Sequence, residues 1–289
     1  MTNKDMLLRF SFEDAGVRGE LVNLDASWQR ILSGCDYPDI VRNQLGHAMA
    51  AVVMLSATVK FNGSLILQAQ GEGPLHTLVA QATHLRTIRG LAHWKGDVEG
   101  GGLTDVFGHG RLALTINSEG ADPYQGIVAL EGGTLAEALE SYFSQSEQLS
   151  ARFWMTADGS RASGLCIQML PSHHGETEDW DRISVLADAV TEEGIMALES
   201  EELLYRLFKE ERVRLFDPEP VVFRCGCTHR KTERALVALG RSELEAVLRE
   251  RDVIDVDCEF CSRHYRFDRV DVAQLLAGDV MVRASGVRH

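Results

Sequence analysis

The side chains best suited to chemistry lie near the C-terminus: Cys225-Gly-Cys227 and, after residues 228–257, Cys258-Glu-Phe-Cys261. Two tight pairs separated by a short helical insert can converge on one ion. Zinc favours four soft thiolates in a closed tetrahedral site. The pattern therefore predicts one Zn2+ per chain, held by Cys225, Cys227, Cys258 and Cys261. The first pair is spaced more tightly than the usual C-x-x-C, and Gly226 relieves backbone crowding between its two ligands. His229 and His264 are near enough to substitute, but four thiolates already suffice. Four reduced, unliganded thiols are the plainer alternative, and they would leave a unit of about 70 residues with a thin core. Zinc thiolates are also oxidisable, and disulfide formation removes the negative ligands and releases the metal. The metal supplies about 10–16 kcal/mol of apparent folding energy in small zinc units. That exceeds or matches the whole stability of a typical domain, about 5–15 kcal/mol. Such a unit can act as a fuse: peroxide in, zinc out, fold lost.

Residues 221–289 must position these thiols. Lys231 to Leu239 reads as a short helix ended by Gly240. Ser242-Glu243-Leu244-Glu245 reads as a capping box that opens a second, and Asp268 to Ala277 as a third, closed by Gly278. Residues 176–220 differ in character. They hold 5 basic and 14 acidic side chains, net −9, in a helical pattern. Ser200 is placed to cap a helix with Glu201 and Glu202 in its first turn. Leu203, Leu204, Leu207 and Phe208 form a short apolar stripe, and Asp217-Pro218-Glu219-Pro220 stops the helix. The plain reading is a solvated helical pair. The sharper one is a metastable linker held by docking this stripe on a neighbour.

Residues 1–175 read as one mixed α/β unit. Strands are expected at Leu7 to Phe12, Val17 to Leu24, Ser64 to Gln70, Leu75 to Ala82, Thr87 to His93 and Arg111 to Asn117. Further strands fall at Gly126 to Glu131, Arg152 to Thr156 and Gly164 to Leu170. Helices are expected at Asp39 to Lys60 and from Thr134 to about Ser144. Short turns link the strands, so a mainly antiparallel α+β domain is predicted. The organisation is then a core domain (1–175), an acidic helical linker (176–220) and a small four-cysteine zinc domain (221–289).

Composition narrows the function. The net charge is −14, opposite to the basic field that phosphate contacts require. Residues 221–289 are near neutral, with 12 basic and 11 acidic side chains, so a zinc-ribbon nucleic-acid binder stands as the alternative. No secretory h-region opens the chain. The longest nearly apolar stretch, Ala48 to Ala57, falls short of the roughly 20 residues a spanning helix needs. A soluble cytoplasmic protein is expected, and there six cysteines are not a disulfide scaffold. Enzyme signatures are missing: no G-x-S-x-G, no H-E-x-x-H and no complete Walker loop. Cys258-x-x-Cys261 lacks the βαβ context of a disulfide reductase. Gly71-Glu-Gly73, Gly100-Gly101-Gly102 and Gly108-His109-Gly110 read as turns, and His173-His174 beside Glu176 and Asp179 as an exposed hinge.

The chain resembles the 33 kDa heat-shock chaperonin family, redox-regulated holdases, along its whole length. The likeness is sharpest in Phe223-Arg-Cys225-Gly-Cys227 and in Val256-Asp-Cys258-Glu-Phe-Cys261, followed by Tyr265-Arg-Phe267. Tyr142-Phe143-Ser-Gln-Ser146-Glu147-Gln148, Tyr124-Gln125-Gly126 through Glu131-Gly, and Gly164 to Pro171 also match. The resemblance implies a client-binding core, a stress-sensing linker and a zinc-binding redox switch. It implies that oxidation joins Cys225 with Cys227 and Cys258 with Cys261, and that homodimerisation accompanies activity. Its partners are unfolded or aggregation-prone clients rather than nucleic acid or membrane. Cys35 and Cys166 lie outside the switch motif and inherit no role.

Overall fold

The computed structural model describes residues 4–100, 102–171 and 177–285. Gly101 and the hinge residues His173, His174 and Glu176 lie outside the described residues. The chain divides into two compact units, Met1–Arg224 and Cys225–His289.

The first unit opens with the hairpin β1 (Met6–Phe12) and β2 (Val17–Leu24), turned at Gly16 with φ +57°. Helices α1 (Ala26–Leu32) and α2 (Asp39–Thr58) follow. A meander β3 (Gly63–Gly71), β4 (Leu75–Thr83), β5 (Thr87–Trp94) precedes the short α3 (Leu103–Phe107) and strands β6 (Gly110–Ser118) and β7 (Tyr124–Ala129). Helix α4 (Leu135–Tyr142) runs into a π-helical turn, Phe143–Glu147. Strands β8 (Ala151–Ala157) and β9 (Ala162–Met169) come next, then helices α5 (Thr177–Ala187), α6 (Glu192–Ala197) and α7 (Ser200–Phe208). Three short strands close the unit: β10 (Val213–Leu215), β11 (Glu219–Pro220) and β12 (Val222–Phe223).

The strands form two six-stranded sheets. One runs β10-β1-β2-β9-β8, with β11 also on the outer edge of β1, and the other runs β12-β5-β4-β3-β6-β7. Every described pairing is antiparallel except β12 beside β5, where Val222 faces Thr87 and Phe223 faces Ile88. The architecture is the expected mainly antiparallel α+β fold.

Helix α2 explains how two sheets share a core. Its Ala, Val, Met and Leu residues face all round the axis, which marks a helix to be buried rather than laid on a surface. Thirteen of its residues are buried, and it packs on β3, β4 and β5 of one sheet and on β2, β8 and β9 of the other. The first sheet is covered on both faces, so all eight residues of β9 are buried. Its second face belongs to the acidic helices. Leu8, Phe10, Phe12, Leu21, Leu165 and Ile167 meet Ile183, Ile195, Leu203, Leu204 and Phe208 there. Gly19 permits this packing, because a Cβ there would sit 2.1 Å from the Phe10 ring.

Three local features differ from the sequence expectations. Ser200 is the first residue of α7 and does not cap it. Its hydroxyl instead accepts from Asn23 Nδ2 at 3.1 Å, and Asn23 Oδ1 accepts from Ser163. Helix α7 stops at Phe208 rather than at the proline run, and Glu219–Pro220 pairs with Leu7 and Met6. Gly278 does not end the last helix, which continues to Ser285.

Glu20 is buried on the α2 side, opposite Arg9 on β1, and its Oε2 has no hydrogen-bond partner. Burial pushes its carboxyl up to about 7, against the pull of Arg18, Arg9 and Arg86. The folded chain therefore holds a proton that the unfolded chain has already released above its ordinary value of 4.5. Its contribution is undiminished below about 4.5 and is lost as pH rises to about 7, up to about 3 kcal/mol. Glu20→Gln is expected to remove this fall. Equal slopes of denaturation midpoint against pH from 5 to 7.5 in both proteins would contradict that.

The second unit is smaller. Helices α8 (His229–Leu239) and α9 (Arg241–Glu250) precede the hairpin β13 (Val253–Asp257) and β14 (His264–Asp268), and α10 (Arg269–Ser285) follows. Leu236, Leu244, Leu248, Ile254, Phe267 and Val272 fill its core. Gly240, at φ +92°, both ends α8 and begins α9, so Ser242 lies within the first turn and makes no cap bond.

Candidate metal centre and helical docking face

The two cysteine pairs come from different local structures. Cys225 and Cys227 sit on the segment entering α8. Thr228 caps that helix, its Oγ1 accepting from Lys231 N at 3.2 Å, which fixes where the segment turns. Cys258 and Cys261 form the tip of the β13–β14 hairpin. Cys258 N donates to Arg263 O at 2.9 Å and Ser262 N to Cys258 O at 2.7 Å, with Ser262 in the left-handed region at φ +56°. A Cβ on Gly226 would meet only the flexible end of Lys231, at 3.3 Å, so crowding does not explain this glycine.

The four Sγ atoms lie within 4.8 Å of one another. Cys225 and Cys258 are 3.6 Å apart and Cys227 and Cys261 3.4 Å. A tetrahedron of thiolates at about 2.3 Å from an ion has an edge of about 3.8 Å. The cluster therefore fits one ion with little movement. Both of these contacts run between the pairs. Burial pushes the Cys258 thiol up and the Cys261 thiol up to about 12. At Cys227 burial acts the same way, but Tyr265 and the neighbouring thiols outweigh it and bring the group down to about 7. Thiolates are what bind metal and meet oxidants.

Neither histidine joins the cluster. The His229 ring lies over Phe267, centroids 4.6 Å apart, with Nδ1 3.0 Å from Glu233. His264 bonds Asp257 at 2.8 Å and Asp255 at 3.0 Å. Cys35 is exposed and Cys166 buried on β9, and neither belongs to the group of four.

The apolar stripe of α7 lies in the core of the first unit. Leu203, Leu204 and Phe208 are buried and Leu207 is half-buried against the same cluster. Phe208 meets Phe12 edge-on at 4.9 Å. Sequence reasoning missed Ile183, Ala187 and Ile195, which dock beside them. Trp180, Ile183 and Ala187 do recur at helical spacing, but the surrounding acids masked the pattern. Ion pairs also join these helices to the sheet region, Arg152 to Asp188 at 2.8 Å and Arg212 to Glu13 at 2.8 Å. These exposed pairs contribute little beside the apolar contacts.

Among the described residues, no helix is long and apolar enough to cross a membrane. Comparison with known proteins points one way. The family profile described as Hsp33 protein matches residues 5–268. A 33 kDa chaperonin of Nitrosococcus oceani is 60 % identical over 289 residues, covering 100 % of both chains. One of Methylobacillus flagellatus is 42 % identical over 293 residues, also covering 100 % of both. The crystal structure of the 33 kDa chaperonin of Thermotoga maritima superposes with a TM-score of 0.84 at 22 % identity, covering 96 % of this chain and 99 % of that one.

Proposed function

The chain belongs to the Hsp33 family, and from that premise we propose that it is a cytoplasmic, redox-switched holdase for unfolding proteins. Its curated relatives carry the name of a chaperonin, not of an enzyme, and a chaperone's partners are client proteins. The observation that supports a switch is the convergence of four cysteine Sγ atoms at metal-binding distances. Zn2+ suits this all-thiolate set best, and when bound it would supply folding energy to a unit with a small core.

Oxidation is proposed to work on the cysteines alone. Each pair of thiolates gives two electrons to one peroxide, which takes up two protons and leaves as two waters. The products are the Cys225–Cys227 and Cys258–Cys261 disulfides, which have no charge left to hold the ion. Loss of the second unit then frees the acidic helices of residues 176–220, which uncover the apolar face of the first sheet. Clients bind there, and the active form is a homodimer.

Metal analysis before and after peroxide, run beside client aggregation, tests this reading. The reduced protein is expected to carry one zinc per chain and to be inactive. Peroxide with mild heat releases the metal and starts suppression of aggregation together. Cys258→Ser is expected to lower zinc content sharply. A reduced, metal-free protein with a folded second unit, or activity unaffected by peroxide, would defeat it.

A further inference from the structure

A cavity of ≈ 380 Å³ opens in the first unit where the C-terminal end of α2 meets β6, β7 and the π-helical turn. No cysteine and no residue of α5, α6 or α7 lines it, so none of its lining residues belongs to the proposed switch. Segments far apart in the chain meet here: Arg18, Tyr124, the 142–149 stretch, Gln168 and Pro171. The wall is apolar, with Leu55, Leu65, Leu114, Ile116, Phe143 and Leu149.

Two charged groups, Glu147 and Arg18, interrupt that wall. Glu147 is engaged by its own neighbours, its Oε1 accepting from the hydroxyls of Tyr142 at 2.9 Å and Tyr124 at 3.3 Å. Tyr142 lies against β7 because position 126 is glycine, where a Cβ would be 2.5 Å from its ring. Arg18 is differently placed. Its Nε and Nη2 donate to Gln168 Oε1 at 3.1 and 2.6 Å, and Nη2 to Thr58 O at 3.2 Å. All these acceptors are neutral, and Arg18 makes no ion pair with a described residue. Glu20 feels its charge but is buried, held up to about 7 by that burial, and makes no bond to it. A guanidinium oriented by neutral oxygens, at an apolar cavity, lacks only a negative partner.

We propose that this cavity is a binding site for a medium-chain carboxylate, its head on Arg18 and its tail against Leu55, Leu65 and Leu114. The size fits: the cavity is more than twice the roughly 150 Å³ that accepts a benzene ring, which suits a chain of about eight to ten carbons. An anionic head is favoured over a cationic one because Glu147 already accepts two hydroxyls while Arg18 has no counter-ion. The site does not depend on the redox reading, since none of its residues belongs to the switch.

Isothermal titration of the reduced full-length protein tests it, with decanoate and decyltrimethylammonium as probes below their micellar concentrations. Decanoate is expected to saturate at one per chain and the ammonium probe to bind more weakly. Arg18→Gln should weaken decanoate about ten- to hundredfold, the loss of one charge-assisted hydrogen bond. Gln168→Glu should do the same by giving Arg18 a permanent carboxylate partner, and so decides the matter if Arg18→Gln does not fold. The assignment is overturned by no saturable decanoate binding, by affinity that folded variants leave unchanged, or by preference for the ammonium probe.

Discussion

Replacing Leu204 and Phe208 together with serine is expected, on the proposed switch, to give a chaperone active while still reduced and zinc-bound. Both side chains are buried against Phe10, Phe12 and the neighbouring strands. Emptying such sites costs about 2–5 kcal/mol each, and serine adds an unpaired hydroxyl. What remains to hold the helices is Leu203, Ile183, Ala187 and Ile195, the partly buried Trp180, Leu186, Val190, Leu198 and Leu207, and a few exposed ion pairs. Against them stand the net −9 of residues 176–220 and an ordering cost of about 1–2 kcal/mol per residue. The balance should tip to the undocked state without oxidation. Hydrogen exchange is expected to show residues 183–215 opening while β3 and β6 stay protected, and the reduced variant to suppress client aggregation. A variant protected over 183–215 and inactive until oxidised would make the linker a passive tether.

The second large effect concerns which sulfurs join. In the folded cluster two Sγ contacts within 3.6 Å cross between the pairs, Cys225 to Cys258 and Cys227 to Cys261. Those bonds would staple loops of about 35 residues and stabilise the unit by roughly 3–4 kcal/mol. An oxidised unit so stapled would stay folded. The proposed bonds within each pair close loops too short to restrain the chain, so nothing then replaces the metal's contribution of about 10–16 kcal/mol. Once the unit loosens, neighbours in sequence meet most often. Peptide mapping after peroxide at mildly raised temperature should find Cys225 with Cys227 and Cys258 with Cys261, with exchange protection lost across 229–268. Crossed pairs with protection retained would leave this chain with no redox fuse.

What the sequence revealed depended on how strongly each residue was tied to one structure. The four cysteines were legible because thiolates in two tight pairs have few other uses. Helix α2 was legible because its apolar residues recur over five turns and run nearly unbroken from Ala48 to Ala57. Strands β10, β11 and β12 were not, since two or three residues carry no period and are placed by their partner strands. Ser200 was misread because its hydroxyl serves equally well as a cap or a cross-chain bond, and Asn23, 177 positions away, decides. The docking role of Ile183 and Ile195 was hidden by charge, since the acids around them face solvent on the other side of the same helices. The cavity beside Arg18 draws on segments more than a hundred residues apart, and only the folded chain brings them together.

The outer edge of β1 is closed by two fragments, Val213–Leu215 opposite Phe12 to Phe10 and Glu219–Pro220 opposite Leu7 and Met6. Both follow directly on α7, so helices that lift away pull on the strands that shield this edge. An edge stripped of them presents a row of unpaired amides and carbonyls beside Leu8, Phe10 and Phe12. Any extended polypeptide can add to such a row as another strand, because main-chain bonding ignores sequence. A protein recruited by backbone alone needs no motif, which is the selectivity that a holder of miscellaneous unfolded chains requires.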